Sequence, residues 1–191
     1  MTTSKQAKTP PITSKTKLLS FDVESNGLHG QAFAVAAVVV NLDGEVVDQF
    51  VGRTKIIGQV DPWVEQNVLP VITDMPITQR TSKDLRNDFW RWFERAQQEA
   101  DYVLVSNGYP VEYRFLLKCQ EDNLEQRYWQ HPFPLLDLMS LMLQTEPHGE
   151  RRTDIIKKLF DEGRYSRHHP YHDALVSARA ACEVFRSQIK E

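Results

Sequence analysis

Asp22 and Glu24 stand two residues apart in the run Lys17-Leu18-Leu19-Ser20-Phe21-Asp22-Val23-Glu24. On a β-strand that spacing turns both side chains to one face, where two carboxylates can serve one metal cluster. Leu18, Leu19, Phe21 and Val23 make the strand apolar on both faces, and acids in a buried strand are costly unless something offsets their charge. Cations are the obvious compensation; acids at a frayed, exposed strand end are the alternative. Asp43-Gly44-Glu45 has the same spacing and reads only as a hairpin turn.

Two later acids repeat the theme. Glu112 lies on a helical stripe with Phe115, Leu116 and Cys119, away from Arg114, Lys118 and Glu121. It also follows a short apolar strand, and open α/β sheets place their sites beyond the C-terminal ends of strands. Asp173 falls on the side of the last helix that carries Val176, Ala180 and Val184, opposite Arg179, Glu183 and Arg186. For both, an acid merely favoured by a helix N-terminus is the competing reading. His168 precedes Asp173 in the loop Tyr165-Ser166-Arg167-His168-His169-Pro170, where a nearby helix N-terminus disfavours imidazolium and keeps a candidate base neutral. Three histidines crowd this stretch (His168, His169 and His172), and chemistry alone leaves the choice among them open.

The elements that must position these groups follow from hydrophobic period and turn residues. Strands are expected from Lys17 to Glu24, Ala32 to Val40 and Glu45 to Val51, joined as an antiparallel meander. A short helix is expected from Pro62 toward Leu69, and an amphipathic one over 82–99, on which Leu85, Phe89, Trp92, Phe93 and Ala96 recur as core. Tyr102 to Ser106 reads as a buried strand, followed by a helix from Pro110 to about Asp122. Helix is further expected at 135–143, 153–161 and 171–188. Asp101, at the wrong end of its strand, is a poor candidate for the site.

The totals fit one soluble α/β domain: 191 residues, 41% hydrophobic, 26% charged. A net charge of −3 argues against a tight duplex binder, which would show a basic footprint; a metal site that holds only a strand end needs less. Residues 1–16 read as a flexible basic tail and 17–191 as the domain. Cys119 and Cys182 are expected as reduced core thiols, and with no signal peptide or membrane span in view the expected location is the cytoplasm.

Phe21-Asp22-Val23-Glu24-Ser25-Asn26-Gly27-Leu28 resembles the first motif of the DEDD-type 3′–5′ exonucleases of the RNase T and oligoribonuclease kind, in the subclass with a histidine. Val111-Glu112-Tyr113-Arg114-Phe115-Leu116 resembles the second, and His168-His169-Pro170-Tyr171-His172-Asp173-Ala174 the third, which selects His168 among its neighbours. The motifs fall in the family's order over residues 17–188. One departure stands out: the second motif normally carries Asp, and here it is Glu112, whose extra methylene moves the carboxylate by about 1.5 Å.

The resemblance implies a ribonuclease H-like fold, a mixed five-stranded sheet with its first three strands antiparallel, flanked by helices. It implies that Asp22, Glu24, Glu112 and Asp173 hold two divalent cations, Mg²⁺ or Mn²⁺ by the all-oxygen donor set, with His168 as general base. Asn26, Gly27 and Leu28 would meet the terminal nucleotide through backbone amides and an apolar wedge. The implied partner is the 3′ end of RNA or DNA, single-stranded, with no membrane; many relatives are dimers, so a homodimer stays open. Two other readings compete with an active exonuclease: a non-catalytic nucleic-acid-binding module on the same fold, disabled at Glu112, and a small-molecule phosphodiesterase.

Overall fold

The computed structural model describes residues 10–132, 134–145 and 150–189. Strands β1 (Lys17–Ser25), β2 (Ala32–Asn41) and β3 (Val46–Arg53) form the expected meander. Then come helices α1 (Pro62–Asn67) and α2 (Ser82–Glu99), strand β4 (Tyr102–Val105), and helices α3 (Val111–Glu121) and α4 (Leu124–Arg127). Strand β5 (Leu135–Asp137) and helices α5 (Leu138–Thr145), α6 (Glu150–Gly163) and α7 (Pro170–Arg186) complete the order. The sheet runs β3-β2-β1-β4-β5, with β1–β2 and β2–β3 antiparallel and β1–β4 and β4–β5 parallel. This is the mixed five-stranded sheet that the resemblance implied.

One local expectation is corrected. Leu135–Asp137, expected as the start of a helix, is a strand, paired through Leu136↔Leu104 and Asp137↔Val105. Its apolar run has no period that separates a buried strand from a buried helix; pairing with β4 decides it.

Strand alternation divides the core. Leu19, Phe21 and Val23 of β1 join Val35, Ala37 and Val39 of β2 under α2 and α3, where Leu85, Phe89, Trp92, Phe93 and Ala96 are buried as expected. The even-numbered face of β1 and β2, with Leu18, Val38 and Val40, packs on α5 and α7. A third cluster sets Val64, Val68, Ile72 and Met75 against Phe33 and Ala34. The segment around α1 therefore covers the part of the sheet nearest the end of β1.

Of the expected tail, residues 1–9 lie outside the described residues. Residues 10–16 touch the domain: the Tyr102 hydroxyl donates to the Pro10 carbonyl, Ile12 packs on the α7 side of the core, and Thr16 is buried. Cys119 and Cys182 are buried and unpaired. Among the described residues no helix is long and apolar enough to cross a membrane.

Candidate active site

β1 brings the first two acids to the even-numbered face. Across the antiparallel ladder Asp22 faces Ala36 and Glu24 faces Ala34, so the neighbouring strand puts only methyl groups beside them. α7 lies over the same face with Ala174, Ala178 and Ala181 buried against the sheet, and its first turn carries Asp173. The result is a cluster in which carboxylate oxygens of Asp22, Glu24 and Asp173 all lie within 4.8 Å of one another. Glu24 and Asp173, 149 positions apart in the chain, thus meet in one cluster.

Glu112 reaches this cluster from the other layer. The Lys17 carbonyl accepts the Asp101 amide, so the odd-numbered residues of β1 turn their backbone groups toward β4. Pairing with β4 ends at Ser20↔Leu104, and further along β1 the Val23 amide, together with Glu112's own amide, favours the charged form of the Glu112 carboxylate. Glu112 is 7% exposed, and Phe115, Leu116 and Cys119 are buried on its stripe, as expected. It stands outside the 4.8 Å set, yet its charge helps raise the pKa values of Asp22 and Glu24.

The electrostatics are those of acids crowded without counter-charge. Burial, then the charges of Asp173, Glu24 and Glu112, push Asp22 well above the carboxylate range. Burial, then Asp173 and Glu112, raise Glu24 to about 9. Burial raises Glu112 to about 7 against the two amides that oppose it. Asp173 also rises to about 7 through burial, although the amides of His168 and His169 and the charge of Arg167 pull the other way. Four acids that resist ionising together form a donor set of oxygens suited to divalent cations. The residues fit the metals that the resemblance implied.

His168 sits in the left-handed region, φ 63°. Its ring meets Trp63 of α1 edge to face, centroids 4.9 Å apart. Desolvation and the charge of Arg167 hold it below the ordinary histidine value, so it is neutral at physiological pH. His169 is instead a structural residue: 4% exposed, with Nε2 3.1 Å from Asp74 Oδ1 and its ring stacked on His172 at 4.1 Å. His172 accepts the Ser166 amide.

The turn after β1 has a divided role. The Asn26 amide is used within the hairpin on the Gln31 carbonyl, and its side chain accepts the Asp61 amide at 2.7 Å and donates to the Gln59 carbonyl. Asn26 therefore ties the turn to the start of α1, where Asp61 caps the helix. Gly27 has φ 75°, and a Cβ there would meet Asp61 Oδ2 at 3.2 Å, which favours glycine. Leu28 stands 65% exposed at the tip. Val23, Glu24, Ser25, Gly27, Leu28, Asp61, Trp63, Val64 and Val111 surround a cleft of about 450 Å³ beside the acids.

Two residues join the site that the sequence did not single out. Trp63, expected only as the opening of a short helix, is 52% exposed in the cleft against His168. Asp137, at the end of β5, accepts the amides of Gly108 and Ser140 and adds to the charge that raises Glu112. Its signal was a helix-capping pattern, an acid just before Leu138-Met139-Ser140. Asp101 accepts the Lys17 amide at the far end of the sheet, away from the site as expected.

No family model matches the chain, and no curated protein sequence matches it. Its similarity to solved structures is extensive. E. coli exonuclease I, in a zinc-bound complex with single-stranded DNA, superposes with a TM-score of 0.61 over 91% of this chain at 15% identity. S. pombe Pop2p, in a form bound to Mg²⁺ and Mn²⁺, gives 0.61 over 90% at 13% identity. The fold of this chain is theirs. A 3′-exonuclease that recognises the histone mRNA stem-loop gives 0.53 over 91% at 10% identity. The chain spans 41% of the exonuclease I chain, 83% of Pop2p and 82% of the histone mRNA exonuclease.

Proposed function

We propose that this protein is a metal-dependent 3′–5′ exonuclease that hydrolyses terminal phosphodiesters of single-stranded RNA or DNA. Asp22, Glu24, Glu112 and Asp173 would hold two divalent cations, Mg²⁺ or Mn²⁺, and His168 would serve as general base. The observation that carries this reading is the meeting of Asp22, Glu24 and Asp173 within 4.8 Å, on a fold shared with 3′–5′ exonucleases. Bound there, the cations would offset the crowded negative charge and stabilise charge developing on the phosphate.

The protein's own groups supply the rest. His168, neutral and turned against Trp63, can take a proton from the attacking water. The amides of His168 and His169 favour the charged form of Asp173, so the proposed base lies on the loop that leads into the helix turn carrying one proposed metal ligand. Leu28 offers an apolar surface for the terminal base in the cleft beside Glu24, while Asn26 braces the hairpin that presents it.

Digestion of an end-labelled single-stranded oligonucleotide with Mg²⁺ or Mn²⁺ tests the proposal. Mononucleotide release should begin at the 3′ end and stop on chelation. His168→Ala should lose about 10²–10⁴ in rate while keeping fold and metal binding, and Asp22→Ala should fall to background. Asp22→Ala digesting as fast as wild type would refute the assignment.

A further inference from the structure

Leu28 borders two clefts of opposite character. In the cleft beside the acids, the charged lining residues are Glu24 and Asp61. The second cleft shares Ser25, Leu28 and Val111 with the first, but its charged lining residues are Arg86, Arg114 and Lys118, with no acid among them. Its floor is apolar, from Ala32, Val111 and Phe115. A ridge with metal-binding acids on one side and cations on the other suits a polyanion whose last linkage is at the acids and whose next unit lies past the ridge.

The three basic residues are not equivalent. Arg86 is committed to Asp122 by two hydrogen bonds, Nε–Oδ2 at 2.6 Å and Nη2–Oδ1 at 2.9 Å. Lys118 pairs with Glu121 at an exposed site, where such pairs are weak and yield to a stronger anion. Among the described residues Arg114 has no carboxylate partner. Its Nη1 makes a long 3.4 Å bond to the Leu28 carbonyl and meets His29 Nδ1 at 2.9 Å. That leaves most of its guanidinium donors for a phosphate, which an arginine reads with paired bonds. The same contacts set Arg114 beside the hairpin tip, so the Leu28 ridge and this cation lie side by side.

We propose that the second cleft receives the nucleotide next to the 3′ end, with Arg114 on its phosphate and Lys118 one helical turn further along the strand. The enzyme is therefore built to prefer oligonucleotides over single nucleotidyl esters. This rests on the exonuclease reading and names the part of the substrate that reading leaves unplaced.

The test compares wild type with the Arg114→Ala/Lys118→Ala double variant on two substrates, a short single-stranded oligonucleotide and the p-nitrophenyl ester of thymidine 5′-monophosphate. The double variant should lose about tenfold in its preference for the oligonucleotide, through KM rather than kcat, and its salt dependence should flatten by about one to two phosphate contacts. Arg114→Lys, which keeps the charge but not the fork, should fall between. Equal loss on both substrates, or an unchanged oligonucleotide KM, overturns the proposal. A wild type that cleaves neither substrate refutes the exonuclease reading instead. In that case the anisotropy of a fluorescein-labelled oligonucleotide still decides the cleft: a weakened Kd in the double variant supports it, an equal Kd overturns it.

Discussion

Glu112 shows what one methylene does in this site. A shorter Asp on the same helix would draw the carboxylate back by about 1.5 Å; the Glu side chain carries it toward the Val23 amide, between the two β1 acids, which favours its charged form. It stands outside the tight set of three yet shares its field, raising Asp22 and Glu24. The consequence is testable by two substitutions. Glu112→Gln keeps an oxygen for the Val23 amide but removes the charge. It should leave the fold intact and raise the Mg²⁺ concentration for half-maximal activity by about 10–100-fold. Glu112→Asp keeps the charge but draws the carboxylate back by about 1.5 Å, and should cost more in kcat than in metal affinity. Metal titrations of activity that superpose for all three proteins would show that Glu112 only fills space.

At the scale of elements, the segment from Gln59 to Met75 and the loop from Arg164 to His169 act as a pair. Asn26 holds the segment at Asp61, Trp63 meets His168, and Asp74 holds His169. Asp74 touches neither the acids nor the cleft lining, yet it fastens the loop that carries His168, the proposed base. Asp74→Ala should therefore lower kcat by roughly tenfold with little change in KM, less than the 10²-fold cost of a full 1 Å misplacement. Asp74→Asn, which still offers an oxygen to His169, should restore most of the loss. Equal kcat in all three proteins would detach the loop from catalysis. These couplings were not legible in the chain, because they join residues far apart in sequence whose types carry no signal of their own: Asp74 is an ordinary loop acid and Trp63 an ordinary helix opener. What was legible had a period or a spacing behind it. Asp22 and Glu24 were set by strand alternation, Asp173 by the stripe of α7, and α2 by its aromatic repeat. β5 was not, since Leu135-Leu136-Asp137 becomes a strand only by lying next to β4, and α4 is a single turn, too short to show a repeat.

The molecule as a whole stores the cost of its site in its pH dependence. Without cations, Glu24 titrates near 9 and Glu112 and Asp173 near 7 in the folded protein, against about 4 for carboxyl groups in an unfolded chain. Between these values the folded state binds more protons than the unfolded one, so stability present at pH 4–5 is lost as pH rises through 7 toward 9. Divalent cations bound by these acids would reverse this by taking the place of the protons, which would be released on binding. The metal-free protein should therefore show a Tm that falls by roughly 10 °C or more between pH 5 and 9, since Glu24 alone, raised to about 9, carries about 1.4 kcal/mol per pH unit over that range and 1 kcal/mol moves Tm by about 2–4 °C for a domain of this size. Saturating Mn²⁺ should raise Tm little at pH 5 and most at pH 8–9. Glu24→Gln removes the group that titrates highest and should flatten the metal-free profile while weakening the response to Mn²⁺. Calorimetric melting across that pH range is the measurement. A metal-free Tm that rises with pH, or a Mn²⁺ shift that is the same at pH 5 and pH 8, would mean that these acids are not a cluster waiting for cations.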